Sequence, residues 1–159
     1  MQQRDRDPAG RARNARPRDP YGRPLPRGAA GVERVSDDLT LEPDDAVTEA
    51  QRLLDAGLAF SAHEVLEGLW KAAPIAQRGL WRGLAQLAVG VTHAQRGNAR
   101  GAVALLTRAA DGLRRWDGPV PATIDLEGVR ARAQDLASRI ETLGLDVVSD
   151  ADLRLRLRG

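Results

Sequence analysis

The chain has two histidines, His63 and His93, and each stands at helical spacing from side chains that could share a proton, a metal or a ligand with it. Glu67 follows His63 by one helical turn, whereas Glu64 falls on the opposite face at about 100° per residue. Trp70 lies beside His63 at the edge of an apolar arc. In the next segment Gln86 and His93 are seven residues apart and nearly superimposed, with Arg82 one turn before Gln86. If these segments are neighbouring helices and the second is central, Gln86 and His93 cannot both reach bulk water. Each unpaired polar group would then cost about 1–3 kcal/mol, so partners are expected, and the adjacent helix supplies His63 and Glu67. The spacing therefore predicts a polar cluster of His63, Glu64, Glu67, Gln86 and His93, flanked by Trp70 and Arg82.

Three kinds of chemistry suit such a cluster. The plainest is a closed hydrogen-bond network that sets helix register. The second is a pocket for a small polar ligand. The third is a site for a divalent metal, with His63, Glu67 and His93 as ligands and Glu64 or a water nearby. Two histidines and a carboxylate with open positions suit Zn or Fe(II), and an outer Glu64 could act as general base in a metal-dependent hydrolase or related metalloenzyme. The run His63-Glu64-x-x-Glu67 is not the zinc-protease motif, because a glutamate stands where that motif has its second histidine. It also reverses the Glu-x-x-His order of di-iron bundles. With no cysteine in the chain, thiolate metal sites and disulfides are excluded. No phosphate-binding glycine loop or Ser/His/Asp triad is present.

The elements that must position these residues are helical. Only 3% of the chain is aromatic, and a core of Leu, Ala and Val suits closely packed helices better than a sheet. Pro43 with Asp44 and Asp45 predicts a helix start, and Val47, Ala50, Leu53 and Leu54 its apolar stripe up to Gly57. A second helix is predicted from Leu58 to Ala73, ending before Pro74. The third, Ile75 to Arg96, is apolar nearly all round and therefore central. Gly97-Asn98 reads as a terminal glycine followed by a cap for a fourth helix running to about Trp116. Its inward positions are Ala102, Leu105, Leu106, Ala109 and Leu113. After a Gly118/Pro119/Pro121 loop, a fifth helix spans Asp125 to Leu143, with Leu126, Val129, Ala133, Leu136, Ile140 and Leu143 inward. Five helices with short loops imply an all-α, compact antiparallel bundle. The three tryptophans read as core or rim packing.

The formal charge of +2 conceals an asymmetry. Residues 1–31 carry 8 Arg against 3 Asp, with many prolines and glycines and no apolar periodicity. Residues 1–42 are therefore expected to be a disordered tail and acidic linker, 43–143 the helical domain, and 144–159 a flexible tail. Mild trypsin is expected to remove residues 1–31. The final Leu153-Arg154-Leu155-Arg156-Leu157-Arg158 alternates like a strand, but a lone strand is unstable and reads as frayed. The uncharged stretch from Gly83 to Ala94 is 12 residues, too short for a bilayer, so no membrane is expected and the cytoplasm is the default location.

At the residues already singled out, the chain resembles a known family. Phe60-Ser61-Ala62-His63-Glu64-Val65-Leu66-Glu67-Gly68-Leu69-Trp70 resembles the signature helix of the domain of unknown function family 309. Gly83-Leu84-Ala85-Gln86-Leu87-Ala88-Val89, then His93, then Gly97-Asn98-Ala99-Arg100-Gly101-Ala102, is similar to its next two elements in order. The resemblance covers about Leu58 to Leu113. It implies a small all-helical prokaryotic domain of unassigned role, whose recurrent polar positions fall on His63, Glu64, Glu67, Gln86 and His93. Arg82 stands where the family usually has glutamine, and Ala85 where a larger aliphatic is common. A weaker likeness, through Gly90, His93, Gly97, Asn98, Ala102, Leu106 and Ala109, is to a tetratricopeptide hairpin. The expected function is a small-ligand or protein-partner binding module. The alternative is the metalloenzyme, and nucleic-acid binding through the tail ranks last. The partner class stays open between a second copy of the chain and another protein.

Overall fold

Each predicted stripe becomes a helix. The computed structural model describes residues 17–26, 30–32 and 41–159. Helix α1 spans Pro43–Asp55, α2 Ala59–Ala72, α3 Arg78–Gln95, α4 Ala99–Arg115 and α5 Leu126–Leu143. The predicted start of α3 is instead a 3-10 turn, Ile75–Gln77, because Pro74 leads into it from an extended backbone. Two helix ends share one device. Gly57 and Gly97 adopt φ +78° and +79°, and the following N–H reaches back five residues, from Leu58 to Leu53 O and from Asn98 to His93 O. This glycine-terminated closure satisfies the last carbonyls and reverses the chain sharply. The Gln95 side chain donates to Gly57 O across 2.8 Å and so ties the two corners together.

The helices pack mainly on their neighbours in sequence, with α3 between α2 and α4. The contact of α3 with α4 depends on two glycines seven residues apart. A Cβ at Gly83 would lie 2.7 Å from Leu113 Cδ2, and one at Gly90 would lie 2.8 Å from Leu106 Cγ. The leucines of α4, also seven apart, thus rest directly on the backbone of α3. Leu66, Leu84, Leu87, Val91, Ala133 and Ile140 fill the shared core. Leu105 is only half-buried and Leu143, the last residue of α5, is 60% exposed, so these two differ from their expected inward positions.

Correction is also needed at both ends of the chain. The C-terminal segment is not frayed. Leu153, Leu155 and Leu157 are buried in the main core, while Arg154 and Arg156 face solvent. The alternation that resembles a strand is read here by helices instead of by a sheet. Gln51 of α1 accepts from Leu157 N at 2.6 Å and donates to Leu155 O at 3.2 Å. On the other side Asp125 N donates to Leu157 O and Arg132 to Arg156 O. Arg139 of α5 pairs with Asp152 at 3.2 Å. The segment therefore sits between α1 and α5 and closes the domain. At the other terminus, residues 17–26 form a turn laid on the helical domain rather than a tail without structure. The remaining expectations for residues 1–42 fall on 1–16, 27–29 and 33–40, outside the described residues.

Candidate functional site

Helix α2 sets a ladder of ionisable groups at one-turn intervals. His63 Nε2 lies 3.3 Å from Glu67 Oε2, and the other oxygen of Glu67 lies 3.0 Å from Lys71 Nζ. All three partners come from one helix, so the ladder needs no tertiary contact to form. Burial holds the His63 imidazole below its ordinary pKa of 6.5 and outweighs the Glu67 carboxylate, which favours the charged ring; the Lys71 ammonium acts with burial. The ring is therefore neutral near pH 7. With the ring proton on Nε2, 3.3 Å from Glu67, Nδ1 would carry a lone pair. That atom is buried and has no hydrogen-bond partner. The Phe60 carbonyl, one turn back, is near enough to favour a protonated ring without hydrogen-bonding geometry to Nδ1. The Phe60 and His63 rings themselves touch, with centroids 5.6 Å apart.

His93 belongs to a different junction. Its Nδ1 accepts from Asn98 Nδ2 at 3.1 Å, which leaves the ring proton on Nε2. Asn98 in turn caps α4, its Oδ1 accepting from Gly101 N at 2.9 Å. Gly101 is small where His93 packs, since a Cβ there would come 3.1 Å from the ring. The joint cluster predicted from spacing thus divides in two: His63 with Glu67 along α2, and His93 with Asn98 at the α3–α4 corner. Among the described residues no three His, Asp or Glu side chains are grouped to hold a metal ion, so the proposed set His63, Glu67 and His93 does not converge. The reason is directional. His93 lies in the last turn of α3, where the chain reversal supplies a nearer partner than α2 does.

Gln86 is half-buried on α3, and its amide has no hydrogen bond among the described residues. Arg82, one turn earlier, is exposed. Glu64 is half-buried on α2, and Trp70 is half-buried against the core. Two residues that matter were not picked out from sequence. Gln51 has a legible signal, because it is a polar residue four positions after Val47 on an otherwise apolar stripe. Phe60 is the other. Arg18 and Arg96 place their guanidinium carbons 4.9 and 5.7 Å from its ring centroid, and no spacing rule connects those three positions.

Comparison with known proteins gives one match. The model of a family described as a domain of unknown function, DUF309, matches residues 47–105. No curated protein and no solved structure matches the chain.

Proposed function

We propose that this chain, whose residues 47–105 match the DUF309 family model, is a binding module that takes up a polar ligand group on the hairpin of α2 and α3. One observation carries the reading: His63 presents a neutral ring whose Nδ1 is buried and unpartnered. A buried ring nitrogen without a partner costs about 1–3 kcal/mol, and a polar ligand group would recover that energy. Gln86, with no hydrogen bond of its own among the described residues, offers a second donor and acceptor on the neighbouring helix. The half-buried Trp70 supplies an apolar wall of the kind that polar ligands commonly lie against. The metalloenzyme alternative has less support, because His93 is bonded to Asn98 and stands apart from His63 and Glu67.

The test is a screen of small amides, ureas and amines against the full chain by NMR, with side-chain spectra assigned for His63 and Gln86. Binders are expected to move the His63 imidazole nitrogens and the Gln86 amide together, and to lose affinity in His63→Phe. Shifts confined to α4 and α5, or binders unaffected by His63→Phe, would refute this role. No helix among the described residues is long and apolar enough to cross a membrane.

A further inference from the structure

We propose that the crevice between α1 and α5 is a binding groove for a partner protein's extended segment of the form Asp-Leu-x-Leu-x-Leu, and that residues 152–157 are its resident occupant. The groove reads main chain. The Gln51 amide donates to Leu155 O at 3.2 Å and accepts from Leu157 N at 2.6 Å, the pair of bonds that one residue of a parallel strand would make. Arg132 closes on the carbonyl between them, with Nε and Nη2 3.2 and 2.8 Å from Arg156 O. Asp125 N, at the cap of α5, donates to Leu157 O at 2.9 Å. Three successive carbonyls are thus held by groups of α1, α5 and its cap. Any extended chain presents the same carbonyls, so these bonds give affinity without naming a sequence.

Selectivity comes from the side chains. Leu153, Leu155 and Leu157 are buried in the core, whereas Arg154 and Arg156 are exposed. Asp152 adds one charged contact, its carboxylate 3.2 Å from Arg139. The groove therefore asks for leucine at every second position and a carboxylate just before the first, and it accepts any side chain between. The helices that build it are ordered by other contacts: α1 packs on α2, and α5 on α4. The segment follows α5 through residues 149–151, all exposed, so it can leave without parting any helix pair. A tethered occupant holds its own groove at an effective concentration of about a millimolar. A partner enters by binding more tightly than the resident segment or by arriving at high local concentration. The groove is separate from the α2–α3 hairpin and depends on no ligand there.

The resident segment reports its own displacement, because trypsin cuts after Arg154 and Arg156 only when the segment has left the groove. The competitor is a synthetic peptide of residues 150–158 bearing Arg154→Gln and Arg156→Gln, which trypsin leaves intact. Its dissociation constant is measured by fluorescence anisotropy on the full chain bearing Leu157→Asp, whose own segment would have to bury a carboxylate. If that variant fails to fold, the dose curve in the parent chain supplies the constant. In the parent, peptide at about ten times the constant should speed cleavage after Arg154 and Arg156 about tenfold, because binding to the opened groove raises the opened population by that ratio. The same peptide bearing Leu155→Asp should have no effect. Unchanged cleavage in the parent at millimolar peptide would make the segment a permanent part of the core and overturn the proposal. Equal acceleration by the Leu155→Asp peptide would overturn it too, by removing the selectivity. Acceleration that grows with the concentration of the chain itself, without peptide, would give the groove to a second copy instead of a partner protein.

Discussion

Replacing Leu157 by Ala separates a closed domain from one with a loose end. Leu157 is completely buried, 0% exposed, and belongs to the main core. Truncating such a leucine removes its transfer energy and leaves a cavity, a loss of about 2.7–5 kcal/mol. The segment runs along the edge of the helices and can settle partly into the void, so the lower part of that range, about 3 kcal/mol, is expected. For a chain of this size 1 kcal/mol corresponds to about 2–4 °C, which gives a fall in Tm of about 6–12 °C. The backbone bonds of Leu157 to Gln51 and Asp125 involve no side-chain atom of Leu157 and remain available. Urea unfolding followed by the fluorescence of buried Trp81 is a suitable assay. Arg156→Ala is the internal control, because Arg156 is exposed and only its carbonyl is bonded, to Arg132; its effect should stay within about 0.5 kcal/mol. A Leu157→Ala protein as stable as the Arg156→Ala control would refute the reasoning and restore the picture of a frayed tail.

Other expectations follow from the divided polar cluster. Asn98→Ala should lower stability by about 0.5–2 kcal/mol through loss of the α4 cap, and His93→Ala by no more than that, since Asn98 still caps α4 without the ring; a larger loss for His93 than for Asn98 in urea melts would contradict the assignment. Any rise in Tm produced by Zn should vanish in His63→Ala and persist in His93→Ala, because only His63 has a carboxylate within reach; equal loss in both would bring back the three-ligand site. The folded His63 titrates below its unfolded value of 6.5. The unfolded chain therefore binds the extra proton first, and stability rises with pH through that window. The contribution is fully present above about pH 6.5 and is lost as pH falls through the lower, folded pKa. The slope of stability between pH 7.5 and 5.5 should accordingly flatten in His63→Gln, and an unchanged slope would remove His63 from the account.

The helices and their caps were legible because their causes are local. Asn98 and Asp125 accept from the N–H three residues on, at Gly101 and Gly128, and Gly57 and Gly97 end their helices by conformations that neighbouring residues disfavour. Central placement of α3 also followed from its own periodicity. What escaped was non-local. Whether His93 faces α2 or the α3–α4 corner depends on how sharply the chain turns at Gly97, which helical angles alone leave undetermined. The Leu–Arg alternation of the last residues was visible, but its partner is a crevice between α1 and α5 instead of a second strand. The turn at residues 17–26 was half-legible: Asp-Pro-x-Gly announces it, and nothing in it announces Phe60.

The closing segment gives this otherwise local fold a kinetic asymmetry. Helices that pack on their sequence neighbours form contacts at short range, and such contacts assemble quickly. Gln51 and Leu157 are 106 residues apart, and bringing them together carries a loop entropy of about 4 kcal/mol if the chain between them is still open. Once α1 to α5 are stacked, most of that loop is already spanned, so the segment docks last, after the rate-limiting barrier. Its interactions then contribute little to how fast the domain folds and nearly all of their weight to how slowly it unfolds. The last turn of chain acts as a latch on lifetime: weakening it leaves refolding at its former speed while the native state opens sooner, which is the property that proteases and irreversible aggregation sense.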